Sequence, residues 1–209
     1  MRIDRAAAPF VLIAAIPALV TALFGWAVAA GILLILPIAI ALFFRDPERH
    51  PPADANAVLA PADGKLMYAG PARTNEAPPG EWLQVTIFLS LLDVHINRTP
   101  VPGRVTRVDY VPGAFLPAFK RESAQNEHSE IWIDRRGRTI VCRQVVGVLA
   151  RRVVTRIQTG DTLEPGAKIG LMKFGSRMDV FVPVTSTLLV KTGEYVKGGE
   201  TVIARLGPE

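Results

Sequence analysis

The stretch Leu171-Met172-Lys173-Phe174-Gly175-Ser176 decides how this chain folds, because its Gly-Ser pair separates two similar segments. The preceding segment from Thr159 is TGDTLEPGAKIGL, and the following one from Thr192 is TGEYVKGGETVIA. Matching glycines and acidic residues in the two segments indicate halves of one small, quasi-symmetric, barrel-like β unit. We expect the turn between the halves to project outward, with Gly175-Ser176 on or near it.

Ser176 is a candidate nucleophile toward the peptide bond that precedes it. Glycine has no side chain, so the carbonyl carbon of Gly175 is open to attack by the neighbouring hydroxyl. The Gly175-Ser176 pair is therefore the first chemical site to consider.

The N-terminal region is apolar and carries no charge between Pro9 and Phe44. A single helix of that length would measure about 50 Å, which exceeds a hydrocarbon core of about 30 Å. Proline and glycine residues interrupt the run. We therefore expect two short spans, Phe10–Phe24 and Trp26–Phe44, that form a helical membrane hairpin or a re-entrant pair.

Basic residues flank this apolar region on both sides: Arg2 and Arg5 before it, Arg45 and Arg49 after it. Positive flanks favour the cytoplasmic side, and a hairpin allows both ends to lie there. Residues 1–44 are thus expected to anchor the protein at the cytoplasmic face of the cell membrane. The alternative is a secretory signal cleaved after Ala27-Val28-Ala29, but cleavage there would leave another apolar stretch at the new N-terminus.

Composition narrows the function classes. The net charge of +5 and the pI near 9.7 favour anionic partners. The sequence lacks a basic run interleaved with aromatic residues, so nucleic acid is not an expected partner. The single cysteine, Cys142, is expected to be a buried small hydrophobe. The three histidines are too dispersed for a zinc motif, and no metal site is expected.

The region after the anchor has the pattern of a mainly β (α+β) soluble domain. A polar, proline-rich linker covers residues 45–57, and the domain covers residues 58–209. Alternating, β-branched segments predict strands at Trp82–Leu89 and Gly103–Tyr110. The segments 131–134 and 139–146 predict a hairpin. No amphipathic helix is predicted after residue 50.

Three polar residues in this domain are candidates for a site. Asp63 lies in a Pro-Ala-Asp-Gly turn, where aspartate commonly has a purely local role. His95 lies between Asp93 and Arg98 at the end of an apolar run. His128 lies in a polar stretch that is typical of a solvated loop. Pattern alone leaves a structural role open for each of them.

Lys173 supports a different interpretation. A Met-Lys pair at a turn between two similar β segments resembles the attachment point of biotinyl and lipoyl domains. The chain would then be a carrier domain modified at Lys173. A third alternative is a membrane-anchored β domain with a structural or interaction role.

Five motifs together resemble the phosphatidylserine decarboxylase family, most closely its short, archaeal-type branch. The resemblance extends from Phe43 through nearly all of the remaining chain. The motifs occur in the family's order: FFRDPER at 43–49, APADG at 60–64, DVHINR at 93–98, NEH at 126–128 and FGS at 174–176.

The resemblance implies a proenzyme that cleaves itself between Gly175 and Ser176. The products would be a β chain of residues 1–175 and an α chain of residues 176–209, which form a heterodimer. Ser176 would become a covalent pyruvoyl group and the only cofactor. Its Schiff base with phosphatidylserine in the membrane would lead to decarboxylation to phosphatidylethanolamine. A homo-oligomer is left open.

The resemblance also implies roles for individual residues. Asp63 would serve self-cleavage in a triad with a histidine and the serine. Many longer members have a second histidine where this chain has Arg98, so either Asp63 acts more directly or another histidine, His95 or His128, substitutes. His95 would also donate the proton to the decarboxylated carbon. Arg98 is a candidate to hold the lipid phosphate or carboxylate.

Overall fold

The computed structural model describes residues 2–73, 77–148, 153–173 and 175–207. The chain divides into two compact units, residues 1–48 and residues 49–209.

The first unit is a helical hairpin closed by two short strands. Its helices are α1 (Ala8–Leu23), α2 (Ala27–Leu33) and α3 (Ile35–Phe43), and its strands are β1 (Arg2–Ile3) and β2 (Arg45–Asp46). Gly25 turns the chain between α1 and α2 with a φ of 79°, a conformation that glycine adopts without strain. Because β1 pairs with β2, the chain enters and leaves the hairpin at the same end.

The outer surface of this hairpin is apolar. Leu12 is 68% exposed, Leu23 is 78% exposed and Val28 is 79% exposed. The stretch Arg5–Leu23 is long and apolar enough to cross a membrane, whereas the apolar stretch Ala27–Phe43 is shorter. A contiguous apolar surface of this kind is unfavourable in water and is typical of a membrane or protein contact.

The regular secondary structure described in the second unit is almost entirely β-strand, which confirms the predicted mainly β class. A 3₁₀ helix at Arg121–Gln125 interrupts them. The strands are β3 (Ala57–Leu59), β4 (Gly64–Pro71), β5 (Trp82–Leu89), β6 (Ile96–Arg98), β7 (Gly103–Val111), β8 (His128–Arg135), β9 (Arg138–Val145), β10 (Val153–Thr155), β11 (Thr162–Leu163), β12 (Lys168–Met172), β13 (Ser176–Pro183), β14 (Thr187–Leu188), β15 (Tyr195–Val196) and β16 (Val202–Arg205).

These strands form one large sheet and two small ones. The large sheet has eight strands in the order β11-β7-β8-β9-β13-β5-β4-β15 and curls into a half-barrel. The small sheets have the orders β10-β12-β6 and β14-β16-β3. The predicted hairpin is β8–β9, which turns at Arg136-Gly137.

Side-chain alternation gives the large sheet two different faces. One face contributes Ile87, Ile131, Cys142, Met178 and Val180 to the hydrophobic core. Cys142 is fully buried as predicted, and burial raises the pKa of its thiol far above the ordinary value. The alternate residues of β13, including Arg177 and Asp179, point to the opposite face and are also buried. Strand β13 is thus covered on both faces.

The strand order repeats from the two edges of the sheet toward its centre. Read inward, one half is β11, β7, β8 and β9, and the other is β15, β4, β5 and β13. The small sheets correspond in the same way, β10-β12-β6 to β14-β16-β3. The half made of strands β6 to β12 is therefore inserted, in sequence, between β5 and β13 of the other half.

Hydrogen bonds confirm this internal symmetry at the level of residues. The Leu59 amide donates to the Pro100 carbonyl at 2.7 Å, and the Arg98 amide donates to the Pro61 carbonyl at 2.8 Å. Each half also has a glycine pressed against the neighbouring strand. A Cβ on Gly64 would lie 2.2 Å from the Phe88 oxygen, and one on Gly103 would lie 2.3 Å from the Asp134 oxygen.

The prediction of one small symmetric unit with an outward turn was wrong. The matching segments are equivalent, since Gly160 donates to the Val105 carbonyl and Gly193 donates to the Leu66 carbonyl, both at 2.8 Å. They belong, however, to different halves of the larger repeat. Ser176 lies where the chain returns from the inserted half, at the start of β13, and it is fully buried.

The close approach at Gly103 gives a test of the fold. We expect Gly103→Ala to lower the free energy of unfolding by at least about 2 kcal/mol, because the new methyl group collides with a backbone carbonyl. Chemical denaturation measures this change. Arg104→Ala is the control, since Arg104 is exposed on the same strand. Equal stability of the two variants would contradict the packing described here.

Candidate active site

Three neighbouring strands of the large sheet bring Asp63 and Ser176 to the same end of the domain. Lys65 on β4 pairs with Phe88 on β5, which pairs with Arg177 on β13. Asp63 directly precedes β4, and Ser176 is the first residue of β13. Two strand spacings separate β4 from β13, which corresponds to about 10 Å.

The Ser176 side chain is enclosed in the domain. Ser176 has no solvent exposure, and its Oγ makes no hydrogen bond to any residue that the structure describes. Alternation places this side chain on the core face of the sheet with Met178. Gly175 has a φ of 72° and is half-buried. The hydroxyl is thus held in the interior, beside the peptide bond that precedes it.

His95 extends strand β6 by one residue. The Met172 amide donates to the His95 carbonyl at 3.3 Å, next to the Ile96–Leu171 pair. His95 is 2% exposed, and its Nδ1 lies 2.9 Å from the Asp93 carbonyl oxygen. A carbonyl only accepts, so Nδ1 carries a proton. In the neutral form of His95 the lone pair would therefore lie on Nε2.

Two buried side-chain amides near His95, those of Asn97 and Gln144, were not singled out by the sequence analysis. Asn97 lies two residues from His95 on β6, and its Oδ1 accepts from Gln144 Nε2 at 2.7 Å. Gln144 pairs with Met178 and lies on the core face. Asn97 Nδ2 has no hydrogen-bond partner among the described residues. The two-residue spacing from His95 was the available signal, because it is the period of a strand.

Asp63 is held by an arginine rather than by a histidine. Arg49 Nη2 donates to both carboxylate oxygens, at 2.9 and 2.7 Å, and the Gly198 amide donates to Oδ1 at 2.7 Å. The Arg49 side chain is only 8% exposed. The sequence marked Arg49 as a membrane flank and missed this contact. Both oxygens of Asp63 accept hydrogen bonds, so Arg49 and Gly198 fix the position of this carboxyl group.

Arg98 lies where the two halves meet, since its amide donates to the Pro61 carbonyl. Its Nη1 donates to the Gly166 carbonyl at 3.0 Å, and its Cδ would lie 2.8 Å from a Cβ on Gly199. Arg49 Cβ would lie 3.7 Å from the same added Cβ. Arg98 and Arg49 therefore flank Gly199 close to Asp63.

His128 lies on the other face of the large sheet. It pairs with Val145, which pairs with Arg177, so its side chain shares the face of Arg177 and not that of Ser176. Burial lowers the pKa of His128, while the hydrogen bond from its Nδ1 to the Asn126 carbonyl opposes that effect. The structure does not bring His128 together with the Ser176 side chain.

A buried ionic network covers that other face. Arg177 donates to both oxygens of Asp179, at 2.8 to 3.0 Å, and to Ser123 Oγ at 3.0 Å. Thr86 Oγ1 donates to Asp179 at 2.8 Å. Burial alone would raise the pKa of Asp179, but Arg177, Arg143 and Thr86 together outweigh it and hold that pKa below the ordinary value. Asp179 is therefore ionised in the folded domain.

Lys173 lacks the setting of a carrier lysine. It follows β12, which belongs to a small sheet, whereas the next strand, β13, is central in the large sheet. The lysine therefore does not lie on a hairpin between two strands of one sheet. In the part of the chain that is described, no three His, Cys, Asp or Glu side chains cluster in a way that could hold a metal ion.

The fold and the site define a two-fold repeated β protein with a buried serine at a Gly-Ser junction. A family model described as phosphatidylserine decarboxylase matches residues 36–204. The chain therefore belongs to the phosphatidylserine decarboxylase family, as its motifs predicted. This assignment gives no support to the carrier alternative.

Relatives from several bacteria agree with this assignment. The phosphatidylserine decarboxylase proenzyme of Geotalea uraniireducens is 41% identical over 200 residues, which cover 95% of this chain and 93% of the relative. The proenzyme of Syntrophotalea carbinolica is 40% identical over 200 residues, with 95% and 94% covered. That of Chlorobium limicola is 45% identical over 164 residues, with 78% and 77% covered.

The Asp179 ion pair predicts a pH dependence of stability. A carboxylate whose pKa is lowered by folding stabilises the domain above its unfolded pKa of about 4 and loses that effect as the pH falls through the folded value. We expect Asp179→Asn to lower the free energy of unfolding by about 3 kcal/mol at pH 7. The difference from wild type should shrink as the pH falls below 4. Denaturation curves measured between pH 3 and 7 check this, and a constant difference would contradict it.

Proposed function

We propose that this protein is a self-processing phosphatidylserine decarboxylase whose pyruvoyl group forms from Ser176. The observation that carries the proposal is the position of Ser176, fully buried at a Gly-Ser junction that closely follows Met172, whose amide donates to the carbonyl of the buried His95. The family membership identifies the substrate as phosphatidylserine, which is converted to phosphatidylethanolamine and carbon dioxide.

Self-cleavage begins with an acyl shift. Ser176 Oγ attacks the Gly175 carbonyl carbon, its proton passes to a base, and the C–N bond breaks as the amine takes up a proton. The chain is then joined by an ester. Removal of the Ser176 α-proton expels the Gly175 carboxylate and leaves dehydroalanine, which water converts to a ketone with release of ammonia. No external oxidant or reductant is required.

His95 is our candidate for the base in this sequence. Its Nδ1 is held by a backbone carbonyl, which leaves Nε2 able to accept a proton. Asp63, paired with Arg49, contributes a fixed charge instead of orienting the ring. His128 remains the weaker alternative because it lies on the other face of the sheet.

The same residues are then available to the lipid substrate. The ketone at position 176 supplies an electron sink for the carbanion that forms when carbon dioxide leaves. His95 protonates the decarboxylated carbon, and Arg98 binds the phosphate or carboxylate of the headgroup.

The two products of cleavage stay together in this proposal. The α chain, residues 176–209, begins with β13, which pairs with β5 and β9 of the β chain, residues 1–175. Arg177 and Asp179 add buried hydrogen bonds to Ser123 and Thr86 across the two chains. The mature protein is then a heterodimer of its own fragments.

The helical hairpin anchors the enzyme at its substrate. Its exposed apolar side chains suit a bilayer, and its paired ends suit entry and exit on one side. We assign residues 1–44 to this anchor, residues 45–57 to the linker, and the cytoplasmic face of the cell membrane to the catalytic domain.

Intact-mass spectrometry of Ser176→Ala and wild type tests the function. We expect wild type to give two chains, the smaller starting at residue 176 with a ketone-bearing terminus, and Ser176→Ala to give one inactive chain. Cleavage of Ser176→Ala at the same junction would exclude the serine mechanism. A single chain with added mass on Lys173 would instead favour a carrier domain.

The role of Asp63 is tested by its isosteric variant. We expect Asp63→Asn to mature at least about tenfold more slowly, because the fixed charge beside Arg49 is lost. Time-resolved gels after synthesis measure the rate. Asp54→Asn is a matched control, since Asp54 also pairs with an arginine but at an exposed position. Equal maturation rates for the two variants would mean that Asp63 has only a structural role in its turn.

A further inference from the structure

A second glycine lies against the scissile carbonyl. A Cβ added to Gly147 would lie 2.2 Å from the Gly175 oxygen and 3.2 Å from the Gly175 carbonyl carbon. Real Cβ atoms do not approach so closely, so only glycine at position 147 lets the two backbones touch. The same added atom would also lie 3.3 Å from Ala118 Cβ. The Gly175 carbonyl is thus seated against the backbone that follows β9.

Asn126 fixes that backbone. Its Nδ2 donates to the Val146 carbonyl at 2.8 Å and to the Leu116 carbonyl at 2.7 Å, and its Oδ1 accepts from the Leu116 amide at 2.9 Å. Asn126 is fully buried, and all three hydrogen bonds are made to main chain. One side chain therefore joins the loop at Leu116 to the residue that precedes Gly147.

The main chain beside Asn126 reinforces this arrangement. The Val146 amide donates to the Glu127 carbonyl at 3.1 Å, and the Glu127 amide donates to the Ala114 carbonyl at 3.0 Å. Gly113 lies so close to this segment that an added Cβ would be 2.5 Å from the Gln125 oxygen. The main chain around Asn126 and Glu127, which contacts Val146 next to Gly147, is thus restrained by Ala114 and Gly113.

We propose that Asn126 is a positioning residue for self-cleavage, acting through Val146 and Gly147 on the Gly175 carbonyl. This inference rests on the proposed function. It gives a role to the Asn-Glu-His motif, which the chemistry described above leaves without one.

The geometry of the Gly175-Ser176 junction explains why the Gly175 carbonyl needs a contact such as that with Gly147. Pairing of β13 with β5 fixes Ser176, but Gly175 lies outside that strand. An added Cβ on Gly175 would have no atom within 4 Å, so little packs on that side of the residue. An acyl shift requires the hydroxyl to meet the carbonyl carbon in a narrow range of directions. The contact with Gly147 sets the orientation of that carbonyl.

The test measures self-cleavage of Gly147→Ala and Asn126→Asp in the full-length chain. Gly147→Ala forces the carbonyl away, and Asn126→Asp removes two donors while keeping the acceptor for Leu116. We expect both to release the α chain at least about tenfold more slowly than wild type. Gly207→Ala is the matched control, because its Cβ would lie 2.5 Å from the Thr185 oxygen, away from the junction. It should mature at the wild-type rate.

Cleavage by hydroxylamine distinguishes a defect in positioning the Gly175 carbonyl from a general loss of the folded structure. It cleaves the ester formed by the acyl shift and leaves a free serine at residue 176. We expect Gly147→Ala to lose hydroxylamine-dependent cleavage as well, at temperatures where its thermal unfolding has not begun. If that variant does not fold, Asn126→Asp decides by the same assay.

The outcomes distinguish the two proposals. Maturation of Gly147→Ala or folded Asn126→Asp at the Gly207→Ala rate would overturn the positioning role while leaving the proposed function intact. Normal ester formation followed by slow release would also overturn it, because the defect would then lie in elimination. A wild-type chain that never cleaves would overturn the proposed function and this inference with it.

Discussion

The structure depends on the burial of strand β13 between β5 and β9. One face of the strand lies in the hydrophobic core, and the other carries the Arg177–Asp179 pair. A charged pair in such a place is stable only if its hydrogen bonds are satisfied, and Thr86 and Ser123 contribute to that. The strand cannot leave the sheet without exposing both faces. Ser176, its first residue, is consequently fixed in the protein interior.

The internal repeat explains how the proposed cleavage junction comes to lie at that point. The half made of β6 to β12 is inserted between β5 and β13, so the chain must return to the outer half just before Ser176. The end of β12 is therefore close to the start of β13. Met172, the last residue of β12, is hydrogen-bonded to His95. A break in the return segment would remove no strand from either half. Cleavage there is therefore compatible with an intact domain.

The sequence predicted the parts of this arrangement that depend on local pattern. Alternation located β5, β7 and the β8–β9 hairpin, and the glycine-acid repeat at Gly160 and Gly193 marked equivalent positions. It did not show that the repeat involves two interleaved halves, because strand order depends on pairing between distant residues. The outward turn was wrong for this reason. The contact of Arg49 with Asp63 was missed likewise, since no local signal specifies an ion pair formed by tertiary packing.

The Arg49 contact also bears on the proposal that self-cleavage proceeds with a single histidine in the DVHINR motif. A histidine held by a carboxylate gains its orientation from that carboxylate. Here the backbone carbonyl of Asp93 orients His95, and Asp63 is held by Arg49 and Gly198 instead. In the proposed mechanism, the Asp93 carbonyl thus orients His95, and the Asp63 carboxylate supplies the negative charge. In the proposed mechanism, the position of Asp63 therefore depends on Arg49 and Gly198 rather than on a histidine.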